Sequence, residues 1–299
     1  MSLELSWMPP HAPYMPVATA GMLAVLADAG VAANARWDDA GTRLRLDGEI
    51  DADGLADLLA KLEWPSPERV RWPGGRFGQG LKPTLSAAGL DDPAEEFRAM
   101  VDAAPPLERR LLRAILTDGV LDGEGLPGRS RLLRGVKADL SSIFKPPKGI
   151  KQAALAAELR DGPQFASGNS GYGLGLVPEV QTFGGTTGPD ASTVGAYSRL
   201  LYVLLWQGIM ALPPLPVRRG WQRVVGGPLV TAPDVLSWPR WRFPVDLDGL
   251  RVLVSLAEVH ADEPDGEMLH AYGIDAVYRA RAVELSSMVA VYRWGERVA

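Results

Sequence analysis

The sequence predicts an α+β fold of mixed helices and short antiparallel strands, with two lobes joined by a loop-rich middle. Three observations carry this expectation. Apolar residues recur at helical spacing in several capped segments, short alternating or β-branched runs bounded by turn residues lie between them, and no repeat of fixed period or heptad seam orders the chain. The expected organisation is an N-terminal α/β region over 1–120, a basic and glycine-rich loop region over 121–190, and a C-terminal α+β region over 191–299.

In chain order, Met15–Ala29 is rich in Ala, Leu, Met and Val and stops before Gly30, which reads as a helix with a glycine terminus. Thr42–Gly48 alternates polar and apolar residues and reads as a strand. Asp51 or Asp53 caps a helix with Leu55, Leu58, Leu59 and Leu62 on one face. Trp64–Gly80 is a proline- and glycine-rich loop. Asp92 caps a helix that opens on Pro93 with Glu95 and Glu96 in its first turn. A further helix starts near Pro106 and stops near Gly119. The chain from Leu121 to Pro189 reads as loop-rich.

Val194–Leu212 is apolar and nearly long enough to span a bilayer. Arg199 and Gln207 inside it, and the lack of a second such segment, favour a buried core helix and no membrane. Pieces rich in proline and tryptophan follow, then a helix capped by Asp246 or Asp248 and carrying Leu250, Leu253, Val254 and Ala257. Gly273–Val298 reads as a β-hairpin by its Val and Tyr content.

The chain has 299 residues, 46% hydrophobic and 22% charged, with a net charge of -5 and no cysteine. Disulfides, thiolate metal sites and cysteine nucleophiles are thereby excluded. The composition and an N-terminus without signal-peptide character suit a cytoplasmic protein. The three histidines (His11, His260 and His270) have no metal-ligand spacing, and His260 falls at a helix end. The loop Gly168–Gly175 lacks the Lys-Ser or Lys-Thr of a P-loop, and Tyr172 stands where a nucleophile elbow would continue. A polar stretch precedes it, unlike the strand of a Rossmann turn. The acidic pairs Asp38-Asp39 and Asp91-Asp92 read as ordinary capping loops. The expectation is a non-enzyme with no catalytic residues, no metal and no cofactor.

One segment stands out in this acidic chain. Arg129, Arg131, Arg134, Lys137, Lys145, Lys148 and Lys151 lie within 23 residues against the single acid Asp139, while Asp38, Asp39, Asp47, Glu49, Asp51, Asp53 and Asp57 crowd the N-terminal region. Pro146, Pro147 and Gly149 make the segment a loop, and a glycine loop carrying Asn169, Ser170 and Tyr172 follows it. Cations in loops neutralise phosphates, and glycine lets backbone amides approach a phosphate or groove. These ten residues are the candidate nucleic-acid contacts. Cations also stand beside aromatic residues at Arg69–Phe77, Arg218–Arg223 and Trp238–Arg242, where stacking on bases competes with core packing.

Two segments carry a family resemblance: PVATAGMLAVLADAGVAANARWDDAGTRLRLDGEID at Pro16–Asp51 and VVGGPLVTAPDVLSWPRWRFPVDLDGLRVLVSLAEV at Val224–Val259. They resemble the large subunit of type I CRISPR Cascade surveillance complexes of the I-G (formerly I-U) kind. The resemblance implies a non-catalytic role in antiviral defence: recognising a protospacer-adjacent motif and helping open target duplex against a guide RNA. Its implied partners are the other Cascade subunits, guide RNA, target double-stranded DNA and a recruited helicase-nuclease. Two alternatives stand beside it, a structural subunit of a multiprotein assembly without direct DNA reading and a metal-dependent nuclease or hydrolase.

Overall fold

A computed structural model describes residues 2–71, 91–121, 127–130, 132, 150–164, 176–177, 198–219, 222–226, 229, 235–286 and 289–299. At 67, 118, 129, 215–219, 222–226, 284–286 and 289–291 the description is of the backbone alone. The fold is α+β.

Two apolar helices form its centre. Helix α1 (Met15–Asp28) buries every residue from Met15 to Leu26, and α6 (Arg199–Ala211) every residue from Leu200 to Ala211. Neither has a polar face, so each must be enclosed by other elements. They meet at paired glycines. A Cβ on Gly208 would lie 1.8 Å from the Val17 carbonyl oxygen, and one on Gly21 would lie 2.0 Å from that of Leu204. The pairing 17 with 208 and 21 with 204 makes the helices antiparallel. The α6 segment is the buried helix expected near 194–212, beginning where Ser198 accepts a hydrogen bond from Leu201 N–H at 3.1 Å. Among the described residues no helix is long and apolar enough to cross a membrane.

Around this pair lie small antiparallel sheets. Strands β1 (Ser2–Leu5), β2 (Ala33–Trp37) and β3 (Leu44–Gly48) pair in the order β1-β3-β2. The β2–β3 turn is tied by Asp38, whose carboxylate accepts from Thr42 N at 2.7 Å and Arg43 N at 3.2 Å. The Thr42 amide, first among these contacts, holds the Asp38 carboxyl below its ordinary range. Asp38 is thus turn chemistry in a hairpin, not a helix cap.

Strands β4 (Leu116–Leu121) and β5 (Pro127–Arg129) pair with each other, as do β6 (Leu215–Arg219) and β7 (Gln222–Gly226). The C-terminal sheet centres on β9 (Ile274–Ser286). On one edge it takes β8 (Val235–Trp241). On the other it takes β10 (Val289–Tyr292) and β11 (Glu296–Arg297). The expected hairpin is β9–β10.

Capping followed the sequence closely. Asp51, not Asp53, caps α2 (Ala52–Ala60); Asp92 caps α3 (Pro93–Ala103); and Asp246 caps α7 (Leu247–Ser255). Three boundaries differ. Helix α4 (Pro106–Ile115) ends at Leu116 instead of near Gly119, because Leu116 and Thr117 pair with Arg129 and Gly128 in a strand. Helix α7 ends before Ala257: Leu256 turns to an extended conformation, and Ala257–His260 forms the separate short helix α8. Helix α5 (Gln152–Asp161), not expected from the sequence, lies within the loop-rich region. A last short helix, α9 (Gly266–Ala271), precedes β9.

The two segments of family resemblance meet inside the core. Ala35 and Val245 exchange backbone hydrogen bonds at 2.7 and 2.9 Å, and Trp241 Nε1 donates to Ala35 O at 3.0 Å. Trp37 packs edge-on against Trp241, with ring centroids 6.0 Å apart. One apolar cluster runs from Leu5 to Tyr292 and takes in α1, β2, α4, α5, α6, β8 and β9. Elements from both ends of the chain therefore share a single core.

Candidate nucleic-acid interface

The described residues fix the points at which the two candidate loops join this core. The basic segment leaves from β5, where Arg129 pairs with Leu116. Ser130 and Leu132 are buried there, and Ser130 N–H donates to Ile115 O at 2.9 Å. The segment returns at Ile150, packed on the core, and at Lys151, the exposed N-cap residue of α5. The backbone of Arg129 and the whole of Lys151 are thereby placed. Arg131, Arg134, Lys137, Lys145, Lys148, Asn169, Ser170 and Tyr172 lie outside the described residues, as does the Arg129 side chain.

Helix α5 separates the two loops. Its ten residues span about 15 Å at 1.5 Å per residue, so Lys151 and Gly162 stand at opposite ends of a short rod. The rod packs on α2, where Arg160 pairs with Asp53 and Gln152 reaches the Asp53 carbonyl. At its far end Trp7 Nε1 donates to Leu159 O at 3.0 Å, and Gly162 turns the chain at φ +99° against the Trp7 side chain.

A buried carboxylate then joins both ends of the segment that holds the glycine loop. Glu158, 4% exposed, accepts a hydrogen bond from Gln164 N–H at 3.1 Å and another from the Ser198 hydroxyl. Gln164 and Ser198, the described residues flanking 165–197, therefore meet at one side chain. Ser198 is also the cap of α6, so the clamp is continuous with the central helix pair. The sequence reading missed Glu158 and Ser198, because a glutamate within QAALAAELRD carries no local sign of burial.

The cation–aromatic groups separate into structural and undetermined. Trp238 and Trp241 are fully buried, and Arg240 is fixed by two hydrogen bonds to Asp275, at 2.8 and 3.2 Å, and one to Gly41 O at 3.0 Å. That group is core packing. Arg69 stands 3.7 Å from the buried Glu108, which also accepts from Ser66 N–H. Trp72, Arg76, Phe77 and Trp221 lie outside the described residues, and so do the side chains of Arg218 and Arg223.

Beside β5 a cleft of about 340 Å³ opens between α3, α4 and β4, with Phe97 and Leu116 on its apolar wall. The Arg113–Asp102 ion pair at 3.2 Å spans its rim. No group of three or more His, Asp or Glu residues able to hold a metal occurs among the described residues. His260 is half-buried with Nε2 2.9 Å from Val254 O, and desolvation lowers its pKa and that of His11. The chain matches no protein-family model, no curated protein and no solved structure.

Proposed function

We propose that this chain is a non-catalytic, DNA-contacting subunit of a type I CRISPR RNA-guided surveillance complex. In this reading it recognises a protospacer-adjacent motif, helps open the target duplex, and works in the cytoplasm with the other Cascade subunits and a recruited helicase-nuclease. The observation that carries the reading is the basic segment: seven cations against one acid, in a chain of net charge -5, joined to one core at both ends. That local excess of positive charge, between described ends fixed on the core, suits a phosphate backbone. Guide pairing then reads the long target sequence, and the protein reads a short motif and backbone shape.

The test replaces Lys145, Lys148 and Lys151 with alanine and measures target-duplex affinity of the assembled complex against salt. Removing one phosphate-binding cation reduces the slope of log affinity on log salt by about 0.9, so the slope of the triple variant is expected to fall by about 2.7. An unchanged slope and affinity rejects the phosphate role. A complex that assembles normally with no duplex affinity in either form would instead mark the chain as a structural subunit.

A further inference from the structure

A second cationic site lies on the C-terminal sheet, far along the chain from the basic segment. Tyr292 pairs with Ala282, and the ladder continues with Arg293 N–H donating to Arg281 O at 3.1 Å. Arg281 and Arg293 are therefore directly opposite in an antiparallel pair. Opposite residues project from the same face with Cβ atoms about 4.5–5.5 Å apart, and like charges there repel. Both side chains are exposed.

The neighbouring arginines are committed to the protein. Arg279 donates to Ser237 Oγ at 3.2 Å and to the Ala261 and Asp262 carbonyls. Arg297 donates to the Asp275 and Ala299 carbonyls, each at 3.0 Å. Arg281 and Arg293 make no ion pair or side-chain hydrogen bond among the described residues. Among the described side chains of this sheet, the carboxylate of Glu296 stands opposite Arg279 and not opposite this pair. Next in the chain is Trp294, 38% exposed although large and aromatic. It is held in place: Gly295 N–H donates to His11 O at 2.8 Å, and the indole lies 5.1 Å from the His11 ring and 6.4 Å from that of Tyr14.

Two guanidinium groups side by side, without an ion pair among the described residues and next in the chain to a fixed and partly exposed indole, match the needs of an unpaired nucleic-acid strand. Phosphates relieve the guanidinium repulsion, and a ring face accepts an unstacked base. The geometry points to Arg281, Arg293 and Trp294 as a contact for single-stranded nucleic acid, with the arginines on phosphate and Trp294 on a base. This rests on the nucleic-acid reading above and assigns a separate surface to the separated strand.

The test titrates the full chain with a labelled single-stranded oligothymidylate over a range of salt concentrations in phosphate-free buffer. The salt slope of the Arg281→Ala/Arg293→Ala variant is expected to fall by about 1.4, at about 0.7 for each single-strand phosphate. Trp294→Ala is expected to weaken binding by about 5- to 150-fold with the slope unchanged. A wild-type slope in the double arginine variant overturns the site. Equal loss of binding to a polyglutamate probe reassigns the surface to an acidic protein and also overturns it. A wild-type chain that takes duplex but not the single strand rejects this site alone, while one that takes neither rejects the nucleic-acid reading as well. In low-salt buffer Arg281→Glu should raise the melting temperature of the free chain, since a like-charge pair becomes an opposite-charge pair. No rise would remove the repulsion on which the site is argued.

Discussion

Replacing Gly208 with alanine is expected to destabilise the chain by about 3 kcal/mol or more, at the upper end of the range for overpacking. The added Cβ would lie 1.8 Å from the Val17 carbonyl oxygen and 2.7 Å from its carbonyl carbon. Both atoms are backbone, so no rotamer change relieves the contact, and α1 and α6 must separate. These helices bury nearly all their residues against each other and the surrounding sheets. Separation therefore opens the centre of the core. The sign is diagnostic, because Gly→Ala in an unobstructed helix interior stabilises by about 1 kcal/mol. Gly21→Ala is expected to behave like Gly208→Ala, its Cβ lying 2.0 Å from Leu204 O. Gly266→Ala is the control, since nothing lies within 4 Å of the added atom. Chemical denaturation of the three variants checks this. Equal stability of Gly208→Ala and wild type would contradict the helix crossing.

The Glu158→Ala variant is expected to lose about 2–4 kcal/mol, because one buried donor left without its acceptor costs about 1–3 kcal/mol and the loss of a second, part-buried hydrogen bond adds about 1 kcal/mol. The buried donor is the Ser198 hydroxyl, and the part-buried one is the Gln164 amide. The effect should be local as well as global. Hydrogen exchange should quicken first at Gln164 N–H and then at Leu201 N–H, which depends on Ser198 Oγ as its acceptor. Glu158→Gln retains one carbonyl acceptor and should recover part of the loss. If exchange at Gln164 is unaltered in Glu158→Ala, the carboxylate does not hold the base of the 165–197 segment.

Much of the fold was legible because its signals are local. Asp51, Asp92 and Asp246 each cap a helix through a backbone amide three residues on, and short polar side chains before apolar periodic runs announce this. The β9–β10 hairpin was legible from β-branched and aromatic content. Elements that depend on distant partners were not. Helix α5 has a weakly sided composition, and it is positioned by Asp53, Trp7 and Ser198, remote in the chain. Strand β4 follows α4 without a break because Pro127–Arg129 pairs with it. Gly208 did leave a trace in the sequence, a lone glycine inside LLYVLLWQGIMAL, which marks close approach of another backbone.

The candidate site divides along the same line. Charge density, proline and glycine made the basic segment visible, whereas the pairing of Arg281 with Arg293 exists only through the β9–β10 register. In sequence these are two ordinary arginines twelve residues apart. Trp238 and Trp241 show the converse. Flanked by Arg240 and Arg242, they carry a pattern that stacking on bases could use, yet core packing is the ordinary role of such tryptophans, and here both are core.

The central claim is that the chain works inside an RNA-guided, DNA-binding assembly, and affinity purification of the full chain from its native cells tests it most directly. The expected result is a stable complex holding a short guide RNA of uniform length together with the other subunits, able to bind a matching duplex. Recovery of the chain free of nucleic acid, or in a complex that survives nuclease treatment with no DNA affinity, would contradict the account.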